Sequence, residues 1–224
     1  SARLEGRRAP SGEKLNLLAY YNQTKEEGLV YGGRLRLSRD DTAGVAEGLR
    51  GEMRLGLAYR PDEGPVMLSR LDVEREIFSG ASLLPDSQTS TKVVSNSVLN
   101  VPLAEADELS IYLGAKAALD QYGGENEVTL SSLLALEYRH AIGRWFDVGV
   151  RGAALRIGGD PLAYSFAPSL GVSLGDAIWV SAGYNFGRIQ EDDFQAAGVR
   201  HDGAFVRFRV KFDEMNVRQL LDRF

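Results

Sequence analysis

In the stretch from Leu162 to Leu174 every second residue shares a character. Leu162, Tyr164, Phe166, Pro168, Leu170, Val172 and Leu174 fall on one side, and Ala163, Ser165, Ala167, Ser169, Gly171 and Ser173 on the other. Side chains of an extended strand point alternately to opposite faces, so a period of two marks a strand rather than a helix. The next run repeats the pattern after a tight turn at Gly175 and Asp176. Ile178, Val180, Ala182, Tyr184 and Phe186 stand opposite Trp179, Ser181, Gly183, Asn185 and Gly187, which predicts a hairpin. The same parity, bounded by Gly, Pro, Asp and Asn clusters, predicts twelve strands, near 2–9, 15–24, 28–39, 50–60, 66–78, 90–102, 108–121, 126–140, 145–157, 161–174, 177–188 and 203–212.

Alternation by itself fits a soluble β-sandwich as well as a barrel, because both have one apolar and one polar face per strand. Strand length separates them. Many runs alternate for ten or more residues, whereas soluble strands usually run about 5–6 and a tilted membrane strand needs about 9–11. Mean hydropathy is −0.20 and 25% of the residues are charged, so no spanning helix of about 20 apolar residues is present. Tyr21, Tyr31, Tyr59, Tyr138, Tyr164, Tyr184, Phe208 and Phe212 share the apolar parity, many near strand ends, as an aromatic girdle requires. The expected fold is therefore all-β: a transmembrane up-and-down antiparallel barrel of about twelve strands over 1–212, in a bacterial outer membrane.

An even count brings both chain ends to one rim. Pro10–Lys14, Lys25–Gly28, Pro61–Pro65, Leu103–Asp107 and Gly175–Asp176 read as short connections, and Asp40–Gly48, Phe78–Thr89 and Arg188–Asp202 as long outer loops. Lys25–Gly28 stands out as a short turn on the outer side or the mark of a miscounted strand. The chain opens on Ser1 with no charged-then-apolar leader, so a processed chain or part of a longer one is expected.

With the apolar parity taken as lipid-facing, the other face collects Arg3, Glu5, Arg7, Arg34, Arg36, Arg54, Arg60, Arg70, Asp72, Glu74, Lys116, Asp120, Glu137, Arg139, Asp147, Arg151, Arg207, Arg209 and Lys211. Basic groups dominate there although the chain carries a net charge of −5. The connections must then hold the surplus carboxylates, among them Asp40, Asp41, Glu47, Asp86, Glu125, Glu127, Glu191, Asp192 and Asp193. A ladder of Arg against Asp and Glu would fill a narrow lumen with ion pairs; an open lumen with this lining would prefer anions.

Other chemistry finds little footing. Cysteine is absent, which removes disulfides, thiolate nucleophiles and Cys-based metal sites. His140 and His201 lie far apart and read as rim or interface residues, and Ser95, Ser97, Ser131 and Ser132 have no histidine nearby in sequence for a hydrolytic triad. Asp72 and Glu74 stand beside Arg70 and read as ladder members rather than an acid and base. An acidic chain lacks the basic face that nucleic acid needs. No enzyme activity, cofactor, metal or nucleic-acid partner is expected.

The segment from His201 to Phe212, His-Asp-Gly-Ala-Phe-Val-Arg-Phe-Arg-Val-Lys-Phe, resembles the β-signal of outer-membrane barrels, carried by Gly203, Val206, Phe208 and Phe212. That resemblance implies recognition by the barrel-assembly machinery. The family usually ends on the last aromatic residue, whereas here Asp213–Phe224 follows and reads as a short C-terminal periplasmic helix or tail, with Asp213 as N-cap and Met215, Leu220, Leu221 and Phe224 roughly on one side. Most of the chain resembles the C-terminal barrel anchor of large bacterial surface proteins and, more distantly, autotransporter β-domains. Leu55-Gly56-Leu57-Ala58-Tyr59-Arg60-Pro61 and Gly203-Ala204-Phe205-Val206-Arg207-Phe208-Arg209 carry that likeness. It implies an anchor in outer-membrane lipid for a surface-exposed passenger or larger assembly, its lumen filled by ion pairs. A narrow anion-preferring porin and a soluble β-sandwich binding module are the alternatives.

Overall fold

The structure is a computed structural model and describes residues 1–9, 12–25, 28–42, 46–79, 88–174, 178–194 and 202–210. These residues form twelve strands: β1 (Ala2–Ala9), β2 (Gly12–Thr24), β3 (Leu29–Thr42), β4 (Ala46–Tyr59), β5 (Val66–Ser79), β6 (Gln88–Ala104), β7 (Asp107–Tyr122), β8 (Glu125–Ile142), β9 (Phe146–Ile157), β10 (Ala163–Ser173), β11 (Ile178–Asn185) and β12 (Gly203–Val210). They lie in one up-and-down sheet in chain order, each hydrogen-bonded to its sequence neighbour. No helix occurs among the described residues. The helix predicted over 213–224, together with His201, Lys211 and Phe212, lies outside them.

Strands β2 to β8 are longer than parity alone predicts, whereas β10 and β11 are shorter. Asp40, Asp41, Glu47 and Gly48, which read from sequence as loop residues, belong to the ladder, where Asp40 faces Gly48 and Asp41 faces Glu47. Glu125 and Glu127 likewise sit in β8. Ion pairs hold the charged strand ends: Lys14 pairs with Asp40 across β2 and β3, and Arg39 Nη2 lies 2.7 Å from Glu47 Oε1 across β3 and β4. A charged run reads as loop by composition, but opposite charges on facing strands let it stay extended.

The turn at Lys25–Gly28 is not an exception. Arg60 N–H donates to Gly28 O at 2.9 Å, so this turn sits at the same sheet end as the β4–β5 connection. Gly28 adopts φ +73°, and a Cβ there would stand 1.7 Å from the Arg60 carbonyl oxygen. Both backbone conformation and space exclude a side chain. Gly64, in the neighbouring connection, has φ +101° but open space around it.

The chain divides into two compact units. The first comprises Ser1–Leu99, Tyr112–Leu133 and Arg156–Pro161; the second comprises Asn100–Ile111, Leu134–Leu155 and the chain from Leu162 onward. In the first, β1 to β5 pair in unbroken antiparallel register, and Val94, Tyr112 and Leu133 are buried. In the second, β9 to β12 pair antiparallel, and Ala135, Ala153, Leu155, Ala167, Ile189 and Phe194 are buried.

Gly28→Ala is expected to lower the unfolding free energy by more than about 3 kcal/mol, because a direct clash adds to the roughly 1–3 kcal/mol of a strained backbone. Gly64→Ala should incur only the backbone part. Denaturant titration of both variants in detergent micelles checks the order; equal losses would contradict it.

Candidate functional site: two charged clusters on the polar face

The two faces of the sheet differ in kind. On one face stand side chains such as Tyr164, Leu170 and Phe208, which are 73%, 67% and 71% exposed. On the other face the charges gather, and there Asp147 and Arg151 are each only 9% exposed. The residues predicted from sequence as one charge ladder fall into two clusters, one in each unit.

In the first unit the register sets the pairing. Arg34 faces Arg54, Arg36 faces Glu52, and Ser38 faces Arg50 across β3 and β4. Across β4 and β5, Arg54 faces Asp72, Glu52 faces Glu74, and Arg50 faces Glu76. Like charges directly opposite repel, and two such pairs, Arg34 with Arg54 and Glu52 with Glu74, occur here. Neighbouring opposite charges offset both. Arg34 Nη2 reaches diagonally to Glu52 Oε2 at 3.8 Å and Arg54 Nε binds its facing Asp72 Oδ1 at 2.5 Å, while Arg50 contacts both Glu52 and Glu74. Arg70 Nε forms an ion pair with Asp72 Oδ2 at 2.7 Å, and Lys92 Nζ lies 3.4 Å from Glu74.

Arg50 is the hub of this cluster. Its guanidinium contacts Glu52 at 2.7 Å, Glu76 at 2.8 Å, and Glu74. Five N–H donors in a rigid fork suit one arginine to three carboxylates. The ladder predicted from sequence omits Arg50, Glu52, Glu76 and Lys92, although Arg50 and Glu52 share the parity of Arg54, and Glu76 that of Asp72. The signal is present at the strand ends. Beside this cluster, Arg3, Glu5, Asn16, Leu17, Leu18, Tyr20, Arg34 and Arg36 line a cavity of about 230 Å³ in which basic groups outnumber the single carboxylate.

In the second unit Glu137 takes the central place. Arg139 Nη2 donates to its Oε1 at 2.9 Å, and Arg207 Nη1 to Oε1 and Oε2 at 3.0 and 3.2 Å. Arg139 also approaches Glu108 at 3.6 Å and Asp147 at 3.9 Å. Arg151 belongs to this face by parity. The Arg209 guanidinium stacks 5.4 Å from the Trp179 ring, and that of Arg207 lies 5.7 Å from Phe205. The Asp147 carboxylate lies directly over Gly171, its facing residue on β10. A Cβ at Gly171 would meet Asp147 Oδ2 at 2.4 Å, so the glycine makes the space that the carboxylate fills.

Near the strand ends, on the other face, Tyr21 and Tyr31 both donate to Gln23 Oε1, at 2.5 and 2.6 Å, with Lys25 Nζ 5.7 Å from the Tyr31 ring. At another strand end Asp107 Oδ1 accepts from the Tyr138 hydroxyl at 2.5 Å and lies 2.8 Å from His140 Nδ1. Both groups sit where a girdle is predicted. Of the β-signal residues, Gly203 opens β12 at φ +135°, and Val206 and Phe208 stand on the apolar face; Phe212 is outside the described residues.

No family model matches the chain, and no curated protein does. Several solved structures are similar in outline, two porins among them. The NanC porin is 10% identical with a TM-score of 0.41, over 94% of this chain and 99% of that one. The KdgM porin, solved in complex with disordered oligogalacturonate, is 9% identical with a TM-score of 0.39, over 95% and 97%. Likeness at that level does not bear on what this chain does.

Arg50→Ala is expected to destabilise the protein by about 1–3 kcal/mol, since it leaves three carboxylates on one face without their shared partner. Adding Glu74→Gln should restore part of that loss. Lys14→Ala, which breaks an exposed pair, should change stability by under about 1 kcal/mol. A double-mutant cycle read by chemical denaturation checks this; additive losses at positions 50 and 74 would refute the hub.

Proposed function

We propose that the twelve-stranded sheet closes into a transmembrane β-barrel of a bacterial outer membrane, and that its polar face lines a narrow, water-filled, anion-preferring channel. One observation carries this reading: exposure is reversed. Leu170, Phe208 and Tyr164 are open, while Asp147 and Arg151 on the polar face are nearly covered. A contiguous apolar surface far larger than the few hundred Å² typical of soluble monomers needs a partner, and lipid is the partner that every strand can share. A β-sandwich would cover that face with a second sheet, but here all twelve strands belong to one. Closure would leave no open edge, as hydrocarbon demands.

The channel reading is favoured over a filled post because the ion-paired side chains of the first cluster stay reachable by water. The side chains of Arg34, Arg50 and Arg54 are 36%, 48% and 45% exposed. The basic cavity beside Arg34 and Arg36 favours anions at that wall. The last strand, with Val206 and Phe208 on its apolar face, would be the segment engaged by the barrel-assembly machinery. A passenger anchor of the kind the sequence resembles would share this barrel and differ in conductance.

Recording from the purified protein in planar bilayers separates the two. The channel predicts small, steady unitary currents and a reversal potential displaced towards chloride across a KCl gradient. A folded, heat-modifiable protein that inserts and passes no current would sink the channel and leave the anchor.

A further inference from the structure

The most deeply buried large apolar side chains among the described residues are not in a strand. Ile189 and Phe194 are 1% and 0% exposed, and both follow the end of β11. Their segment reads Gly187-Arg188-Ile189-Gln190-Glu191-Asp192-Asp193-Phe194, which by composition is a solvated loop. Burial that complete needs a surface to pack on.

The apolar face does not offer one. In the same unit Tyr164, Leu170 and Phe186 stand 73%, 67% and 54% exposed, so no covering segment lies over them. The polar face does. There, small or aliphatic side chains of β8, β9 and β10 are shut off from solvent: Ala135 at 3%, Ala153 at 7%, Leu155 at 2% and Ala167 at 4%. Charged neighbours on that face remain partly open, with the Arg207 side chain 35% exposed. The cover over the alanines is therefore local.

The backbone turns the chain at the right place. Phe186 closes the last bridge, exchanging N–H···O bonds with Phe166 at 2.8 and 2.9 Å. Gly187 then adopts φ +98°, where a Cβ would stand 2.3 Å from the Tyr164 carbonyl oxygen. The Asn185 side chain, 1% exposed and of polar-face parity, donates to Gly187 O at 2.9 Å and fixes the bend.

We propose that residues 187–194 fold onto the polar face of the second unit, with Ile189 and Phe194 docked against Ala135, Ala153 and Ala167. The segment thereby forms an internal constriction of the channel. This rests on the barrel reading above, since only closure makes the polar face a lumen. Small residues at the seat leave room for the two anchors, and the charged residues between them keep water in the remaining opening.

The chain has no cysteine, so paired substitutions report without background. Phe194→Cys is combined in turn with Ala135→Cys, Ala153→Cys and Ala167→Cys in full-length protein folded in detergent, and folding is confirmed by heat-modifiable migration. At least one pair is expected to close a disulfide under mild oxidation. If all three folded pairs stay reduced and are also not bridged by a short bis-methanethiosulfonate cross-linker that spans the length of the lost ring, the docking is overturned. In bilayers, Ile189→Ser with Phe194→Ser should raise unitary conductance by roughly twofold or more, because an apolar constriction limits conduction. A disulfide with unchanged conductance in the serine variant overturns the constriction. A disulfide with no current from either protein leaves the docking standing and removes the channel reading instead.

Discussion

Charges at every second position can share one sheet face only if counter-charges arrive at strand spacing, and the register of β3, β4 and β5 meets that condition through Arg50. Direct opposition alone would set Glu52 against Glu74 and Arg34 against Arg54. The diagonal reach of long arginine side chains converts those repulsions into a network. Had the register slipped by one residue, every arginine of this cluster would stand on the apolar face. Thus ion pairing and strand register specify each other, and the long strands follow from both.

The second cluster works differently. Glu137 serves two arginines, and its neighbours Asp147 and Arg151 are nearly shut off from water. Space for buried charge is made by small residues, with Gly171 beneath Asp147 and alanines along β8 to β10. The first cluster, around Arg50, is thus wet, with arginine side chains 36–48% exposed, whereas the second holds Asp147 and Arg151 nearly out of water.

Much of this is legible in the amino-acid sequence. Parity locates all twelve strands to within a few residues, assigns Glu137, Arg139 and Arg207 to one face, and puts Tyr21, Tyr138 and Tyr164 on the other. Strand ends are harder, because Asp40, Asp41 and Glu47 have the composition of a loop and stay extended through partners that only the register reveals. Arg50 escapes notice for the same reason, standing at a boundary where alternation gives out. The β2–β3 turn follows from counting: in twelve antiparallel strands in chain order it falls at the same end as the β4–β5 connection, where the bond from Arg60 to Gly28 joins them. The burial of Ile189 and Phe194 has no periodic trace at all, being two apolar residues in a charged run.

The fit of Asp147 over Gly171 has a consequence for how such a chain can drift. The two positions face each other on adjacent strands, and a side chain at 171 requires the Asp147 carboxylate to move aside. The order of substitution is therefore not neutral: the residue at 171 grows most easily after the one at 147 has shrunk. Among descendants of this sequence, a larger residue at 171 should therefore travel with a smaller one at 147, a historical correlation written by a single contact.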